Sequence, residues 1–204
     1  MTKLLTLSIS ETWKNNYKVV TYDMDACQFH SLQIKESQFR DKDGKIIWDL
    51  FGVTKVNQAI PTQSEFSTIS GQPVLVKYLD KEEMISFFNN YKTSAKRFFY
   101  GNASYGIVKV DSISKIHIPV LKNNKLTQKI DFKSGSKPFT FKLNKDFRWL
   151  KYWENVPERK IVEKINQWTT FLNNKNKSVY LILYHHKEYN NPKYNKWIVG
   201  FHCL

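Results

Sequence analysis

A chain of 204 residues with 41% hydrophobic and 15% aromatic content can bury a sizeable core, which excludes an intrinsically disordered segment. Its 32 Lys+Arg against 18 Asp+Glu give a formal net charge of +14; its two cysteines, Cys27 and Cys203, lie far apart with no C-x-x-C spacing. A disulfide framework and a thiolate metal site are therefore not expected, and a reducing cytoplasm is the simplest setting.

Leu4 to Ser10 and Tyr17 to Tyr22 are short β-rich runs joined by a polar connection, which reads as a hairpin. Phe29 to Ile34 continues it, and the turn Asp41 to Gly44 leads into Ile46 to Trp48 and Leu50 to Val53, so the first quarter predicts an antiparallel meander of four or five strands. Gln58 to Gly71 reads as a polar connection, and Pro73 opens a strand over Val74 to Tyr78. Asp80 is placed to cap a helix over 81–91, with Glu82 and Glu83 in its first turn. Lys92 to Gly101 is basic and aromatic. Strand character returns in Tyr105 to Val110, Ser114 to Val120, Leu126 to Phe132 and Phe139 to Leu143, where Ile116-His-Ile118 and Phe139-Thr-Phe141 alternate as a sheet with one buried and one wet face. Ile161, Ile165, Trp168 and Leu172 recur at helical spacing and predict an amphipathic helix over 157–173. Val179 to Tyr184 and Lys196 to Cys203 form a closing strand pair; neither they nor the ten N-terminal residues supply an apolar run long enough for a bilayer span or a signal sequence. Strands at this spacing predict a mainly β, β-rich α+β chain, either two small antiparallel barrels with two accessory helices, divided as 1–79 and 80–204, or one β-rich mixed domain.

The charge is unevenly placed. Residues 1–84 hold 10 Lys+Arg against 11 Asp+Glu, residues 85–153 hold 14 against 3, and residues 154–204 hold 8 against 4. Only four of the basic residues are arginine, a bias toward lysine that AT-rich coding explains, but such coding does not remove acids. A single-sign stretch threaded with rings points to a polyanion-binding face over 92–153. Lys96-Arg97-Phe98-Phe99-Tyr100 and Phe147-Arg148-Trp149-Leu150-Lys151-Tyr152-Trp153 combine cations for phosphates with rings on which bases stack, although some rings of each run belong to the core. The expected interface is Lys96, Arg97, Lys109, Lys133, Lys137, Arg148 and Lys151 on phosphates, with Phe99, Tyr100, Trp149 and Trp153 offered for stacking.

Catalysis finds little support. His185-His186 with Asn190, Asn191, Asn195 and His202 is similar to an HNH nuclease in residue type, but lacks its spacing and cysteines, and adjacent histidines on a strand point to opposite faces. Asp23 and Asp25, or Asp41 and Asp43, could hold a cation, yet such pairs more often cap turns. No nucleotide loop, serine-nucleophile motif or metal-ligand spacing occurs, so no cofactor and no metal are expected.

Ser104 to Val110, Ile130 to Leu143 and Trp197-Ile-Val-Gly-Phe201 follow one another as a strand, an aromatic hairpin and a closing Trp-apolar-x-Gly-apolar strand. In this order the segment resembles bacterial proteins carrying a dual OB-containing domain; the first half lacks their glycine-rich opening strand, and Tyr22 to Ser31 with Cys27 is only a loose echo of it. The resemblance implies two oligonucleotide-binding-type barrels and nucleic-acid binding, with no catalytic residues. The expected function is that of a non-catalytic, cytoplasmic protein binding single-stranded DNA or RNA. The alternatives are a phage- or defence-related interaction module docking on an acidic or nucleic-acid-bearing partner, and a nuclease.

Overall fold

The structure is a computed structural model, and it describes residues 1–12, 16–61, 66–118, 128–143, 149, 152–153, 155–185 and 196–204. It is mainly β, with two seven-stranded sheets in two compact units, Met1–Ser86 and Phe87–Leu204. The division falls inside a helix, not ahead of it at 79/80.

In the first unit, β1 (Thr2–Glu11), β2 (Asn16–Asp23) and β3 (Gln28–Lys35) form the antiparallel meander that alternation predicts. A single helical turn, α1 (Glu36–Phe39), follows. β4 (Gly52–Val56) then pairs with β1, while β5 (Gln58–Pro61), separated from β4 by Asn57 alone, pairs with β6 (Ser67–Ser70). β6 runs parallel to β3, with Leu32 opposite Ser67, and β7 (Val74–Tyr78) lies on β4. Two expectations are corrected here. Ile46 to Trp48 is not a strand, because Ile47 and Trp48 turn inward as core, and the indole of Trp48 donates to the Gln38 carbonyl at 3.1 Å. The polar stretch 58–71 contains two strands, whose short ladder needs no apolar face. The core gathers Leu4, Val19, Leu32, Ile34, Phe39 and Val56, with Tyr17 stacked on Phe39 at 3.8 Å.

The helix α2 (Lys81–Tyr91) starts where the sequence places it. Asp80 Oδ1 accepts from the Glu83 amide at 2.8 Å and Glu83 Oε2 accepts from the Asp80 amide at 3.0 Å, a reciprocal capping box.

In the second unit, β8 (Lys92–Thr93) precedes α3 (Ala95–Tyr100), a short helix whose amide at Arg97 is capped by the Ser94 hydroxyl at 3.1 Å. β9 (Tyr105–Val110) and β10 (Ser112–His117) are parted by Asp111 alone, and β11 (Gln128–Ser134) and β12 (Lys137–Leu143) form a hairpin. Its turn, Gly135-Ser136, has φ of 60° and 64°, the positive values a two-residue hairpin needs to match strand twist. A 3₁₀ turn (Glu158–Lys160) leads into α4 (Ile161–Leu172), then β13 (Val179–His185) and β14 (Lys196–Cys203). The order is β10-β11-β12-β14-β13-β9-β8, with β12 and β14 parallel. Because β9 pairs β13 at one end of this order and its continuation β10 pairs β11 at the other, the sheet curls back on itself. Two hydrogen bonds tie the curl: the Asp111 amide donates to the Lys133 carbonyl at 2.8 Å and the Ser134 hydroxyl to the Lys109 carbonyl at 3.0 Å. Inside lie Ile116, Ile130, Phe132, Phe141, Leu181 and Ile198. Asn173 fixes α4 to β10 by donating to the Ile113 carbonyl and accepting from its amide, each at 2.8 Å.

The two units have part of their connectivity in common. In each, a meander of three is followed by a helix, and a later strand pairs parallel with the third strand of the meander, β6 with β3 in the first unit and β14 with β12 in the second; the first unit then continues into β7, and the second begins with β8 and α3.

Candidate nucleic-acid interface

Period-two alternation sorts the strands of the second unit. Along β11, Gln128, Ile130 and Phe132 are buried while Lys129 and Lys133 are exposed and Asp131 half-buried; along β12, Phe141 and Leu143 face in while Pro138, Thr140 and Lys142 face out. A bulge between Ile113 and Lys115 keeps Ile113 and Ile116 inside and turns Lys115 and His117 outward. The register then sets the outward side chains in rows. His117, Lys129, Lys142 and Trp197 form one row across β10, β11, β12 and β14, and Lys115, Asp131 and Thr140 form the next. Lys133 and Pro138 continue the face toward the Gly135-Ser136 turn.

Lys129 sits directly opposite Lys142, an arrangement that costs stability in an antiparallel pair. Lys142 Nζ lies 5.4 Å from the centroid of the Trp197 ring, which is half-buried. Lys129, Lys133 and Lys137 make no ion pair among the described residues. The single carboxylate within the rows is Asp131, whose Oδ2 lies 2.6 Å from His117 Nε2 and whose Oδ1 accepts from the Thr140 hydroxyl at 2.7 Å. Burial raises the Asp131 pKa, but the hydrogen bonds from His117 and Thr140, with the charges of His117 and Lys115, outweigh it and hold the carboxyl below its ordinary value.

The structure divides the expected interface residues among three places. Lys109, Lys133 and Lys137 come together where β9, β11 and the hairpin turn meet. Lys96, Arg97 and Tyr100 are exposed on α3, with Tyr100 at 76%. This helix packs on the interior side of the sheet: Phe98 is core, and the half-buried Phe99 contacts the inward-facing rings of Phe139 and Phe141 at 6.2 and 6.1 Å. Phe99 is further closed off by Lys196, whose ammonium lies 4.4 Å from its ring centroid and donates to its carbonyl. Burial pushes the Lys196 pKa down. Arg148 and Lys151 lie outside the described residues.

Two expected stacking rings are corrected. Trp149 and Trp153 are 6% and 5% exposed, and the described residues of that run, Trp149, Tyr152 and Trp153, are helical, so the two indoles stand four apart on one helix face turned into the core. Trp149 stacks on Phe201 at 5.5 Å and donates to Gln128 Oε1 at 2.5 Å. Sequence reasoning in turn missed Lys115, Lys129, Lys142, His117 and Trp197, because their adjacency exists only in the strand register.

The acidic and histidine candidates do not assemble. Asp23 Oδ1 accepts from the amides of Asp25 and Ala26, and Asp41 Oδ1 from those of Asp43 and Lys45, so both serve turns. His202 stands opposite Tyr180 and His185 opposite Lys196, about 17 Å apart along β13; His186, Asn190, Asn191 and Asn195 lie outside the described residues. The buried His30 approaches Asp23 at 3.8 Å and Ser67 at 2.9 Å, but desolvation, outweighing Asp23, lowers its pKa and keeps it neutral. No group of three or more metal-binding side chains occurs among the described residues, and no described helix is long and apolar enough to cross a membrane. No protein-family model matches the chain, and no curated protein matches its sequence.

Proposed function

We propose that the protein binds single-stranded nucleic acid, DNA or RNA, on the outward face of β10, β11, β12 and β14. The observation that carries this reading is the row His117–Lys129–Lys142–Trp197: two lysines held opposite each other beside an aromatic ring, with Lys115 and Lys133 flanking them. Repulsion between such lysines is relieved when phosphates replace their counterions, and a ring at the end of the row gives a base a surface to stack on. The curl of the second sheet, and the parallel pairing with the third meander strand that both units contain, support reading the chain as two oligonucleotide-binding-type barrels of the dual OB-containing kind, a fold whose second and third strands carry the ligand. A cytoplasmic setting, in keeping with Cys27 and Cys203 lying outside any disulfide, belongs to the same proposal. The test is titration of fluorescent 12-nucleotide single strands, DNA and RNA, at 50 mM salt. Saturable binding that Lys129→Glu with Lys133→Glu abolishes supports the reading, and no binding to either strand refutes it.

The interaction-module alternative draws on a different observation. β7 stands at the end of its sheet order with Val74, Val76 and Tyr78 exposed at 55%, 51% and 47%, an apolar edge strand able to pair with a further strand. A partner captured by the wild type and lost with Val76→Lys, while oligonucleotide binding is absent, would favour it.

A further inference from the structure

The outward face of the second unit has one feature that phosphate tracking does not use. Asp131 places a carboxylate among the lysines, with Lys115 opposite it on one side and Thr140 on the other. Its side chain is 29% exposed, so a ligand on the face can reach it. His117 Nε2 holds Oδ2 and the Thr140 hydroxyl holds Oδ1, which fixes the orientation of the group without exhausting it, since each carboxylate oxygen accepts at more than one position.

A fixed anion inside a cationic face repels phosphate at that point. A strand crossing there keeps its backbone on the surrounding lysines and presents a base edge to Asp131 instead. The carboxylate accepts and never donates, so it pairs with an exocyclic amine and opposes a carbonyl oxygen. Cytosine carries the N4 amine where thymine and uracil carry the O4 oxygen. Resting on the proposed single-strand binding, we infer that Asp131 is a specificity-determining residue, selecting cytosine over thymine or uracil on this face.

The experiment compares labelled dC12 with dT12, and rC12 with rU12, at pH 7.5 and fixed salt. The wild type should bind the cytosine strands about tenfold more tightly, toward the low end of what one well-placed base contact gives. Asp131→Asn, whose amide can donate to O4 as well as accept from N4, should bring the two affinities within about twofold while raising binding to the thymine strand. Should that variant fail to fold, as judged by its circular dichroism, Thr140→Val serves instead: it keeps the charge, releases Oδ1 while His117 still holds Oδ2, and should reduce the preference at least about threefold. Equal wild-type affinities for cytosine and thymine strands, or a preference that survives Asp131→Asn, overturn the inference and leave single-strand binding standing. Failure to bind any of the four strands overturns both.

Discussion

On the proposed single-strand binding, the steepness with which salt weakens it counts the lysines that touch phosphate. Lys115, Lys129, Lys133 and Lys142 face outward from β10, β11 and β12. If all four neutralise phosphates of a single strand, log K falls with log salt at a slope of about −2.8, which is roughly a 50-fold loss of affinity between 50 and 200 mM. Replacing Lys115, Lys129 and Lys133 by Gln leaves one contact, a slope of about −0.7 and a loss of only about threefold over the same range. The paired control is Lys96→Gln with Arg97→Gln on α3, which packs on the interior side of the sheet and so should leave the slope within error of the wild type. Fluorescence anisotropy with a 12-nucleotide strand at five salt concentrations measures each slope. A slope unchanged in the triple variant, or lowered as much by the α3 pair, would refute the assignment of the face, because diffuse attraction is screened within about 8 Å at physiological salt and cannot discriminate between elements so placed.

Four further outcomes follow from packing and ionisation. Trp149→Ala should destabilise the second unit by about 3–5 kcal/mol in chemical denaturation, through the cavity it leaves; the folded protein should bind oligonucleotide as before, since the indole is buried. At Gly106 a Cβ would lie 2.7 Å from the Phe98 ring, so Gly106→Ala should lower stability by about 1–3 kcal/mol, and proteolysis should become faster at α3. The buried neutral His30 takes up a proton more readily unfolded than folded, so its contribution is present above the ordinary value of 6.5 and is lost as pH falls below it; thermal melts should show His30→Asn losing less than the wild type between pH 7.5 and 5.5. The Glu36 carboxylate beside it, together with burial, pushes the Tyr17 pKa up to about 12, so Tyr17 favours the fold below pH 10 and ceases to as pH rises through 12. Ultraviolet titration should show one late-ionising phenol that Tyr17→Phe removes.

Where side-chain pattern and local chemistry agreed, the architecture was legible. Asp80 as a cap, with Glu82 and Glu83 in the first turn, announced α2, Ile161, Ile165, Trp168 and Leu172 announced α4, and the alternation around Phe139 and Phe141 announced β12. The strands β5 and β6 were not legible, because a short ladder between polar segments leaves no apolar rhythm. Helix α3 is six residues long, too short for a periodicity, and only the Ser94 cap marks it. Aromatic residues favour strands, so the composition of 147–153 does not announce a helix, whereas Trp149 and Trp153 satisfy a helix face equally well and the core takes both.

The candidate site was legible as a charge and not as a surface. Composition locates the excess lysine in 85–153, but the outward side of the sheet is used in two ways. Over β13, Phe88 of α2 stacks on Tyr180 at 4.7 Å and lies near His202, so Tyr180 is fully covered. Over β10, β11 and β12 the outward positions are exposed or half-exposed, and these are the positions that hold Lys115, Lys129, Lys133 and Lys142. An uncovered sheet face must be polar, and polarity alone is met by Thr, Ser or alternating acids and bases at no electrostatic cost. Lysine opposite lysine exceeds that requirement and costs stability, and on the proposed reading it answers to a ligand and not to the fold. The one acid among them, Asp131, is held ionised by His117 and Thr140 in place of forming an ion pair with Lys129 or Lys133. On the proposed reading, that choice of partners leaves Lys129 and Lys133 for phosphate and lets the face combine backbone attraction with a fixed acceptor for a base.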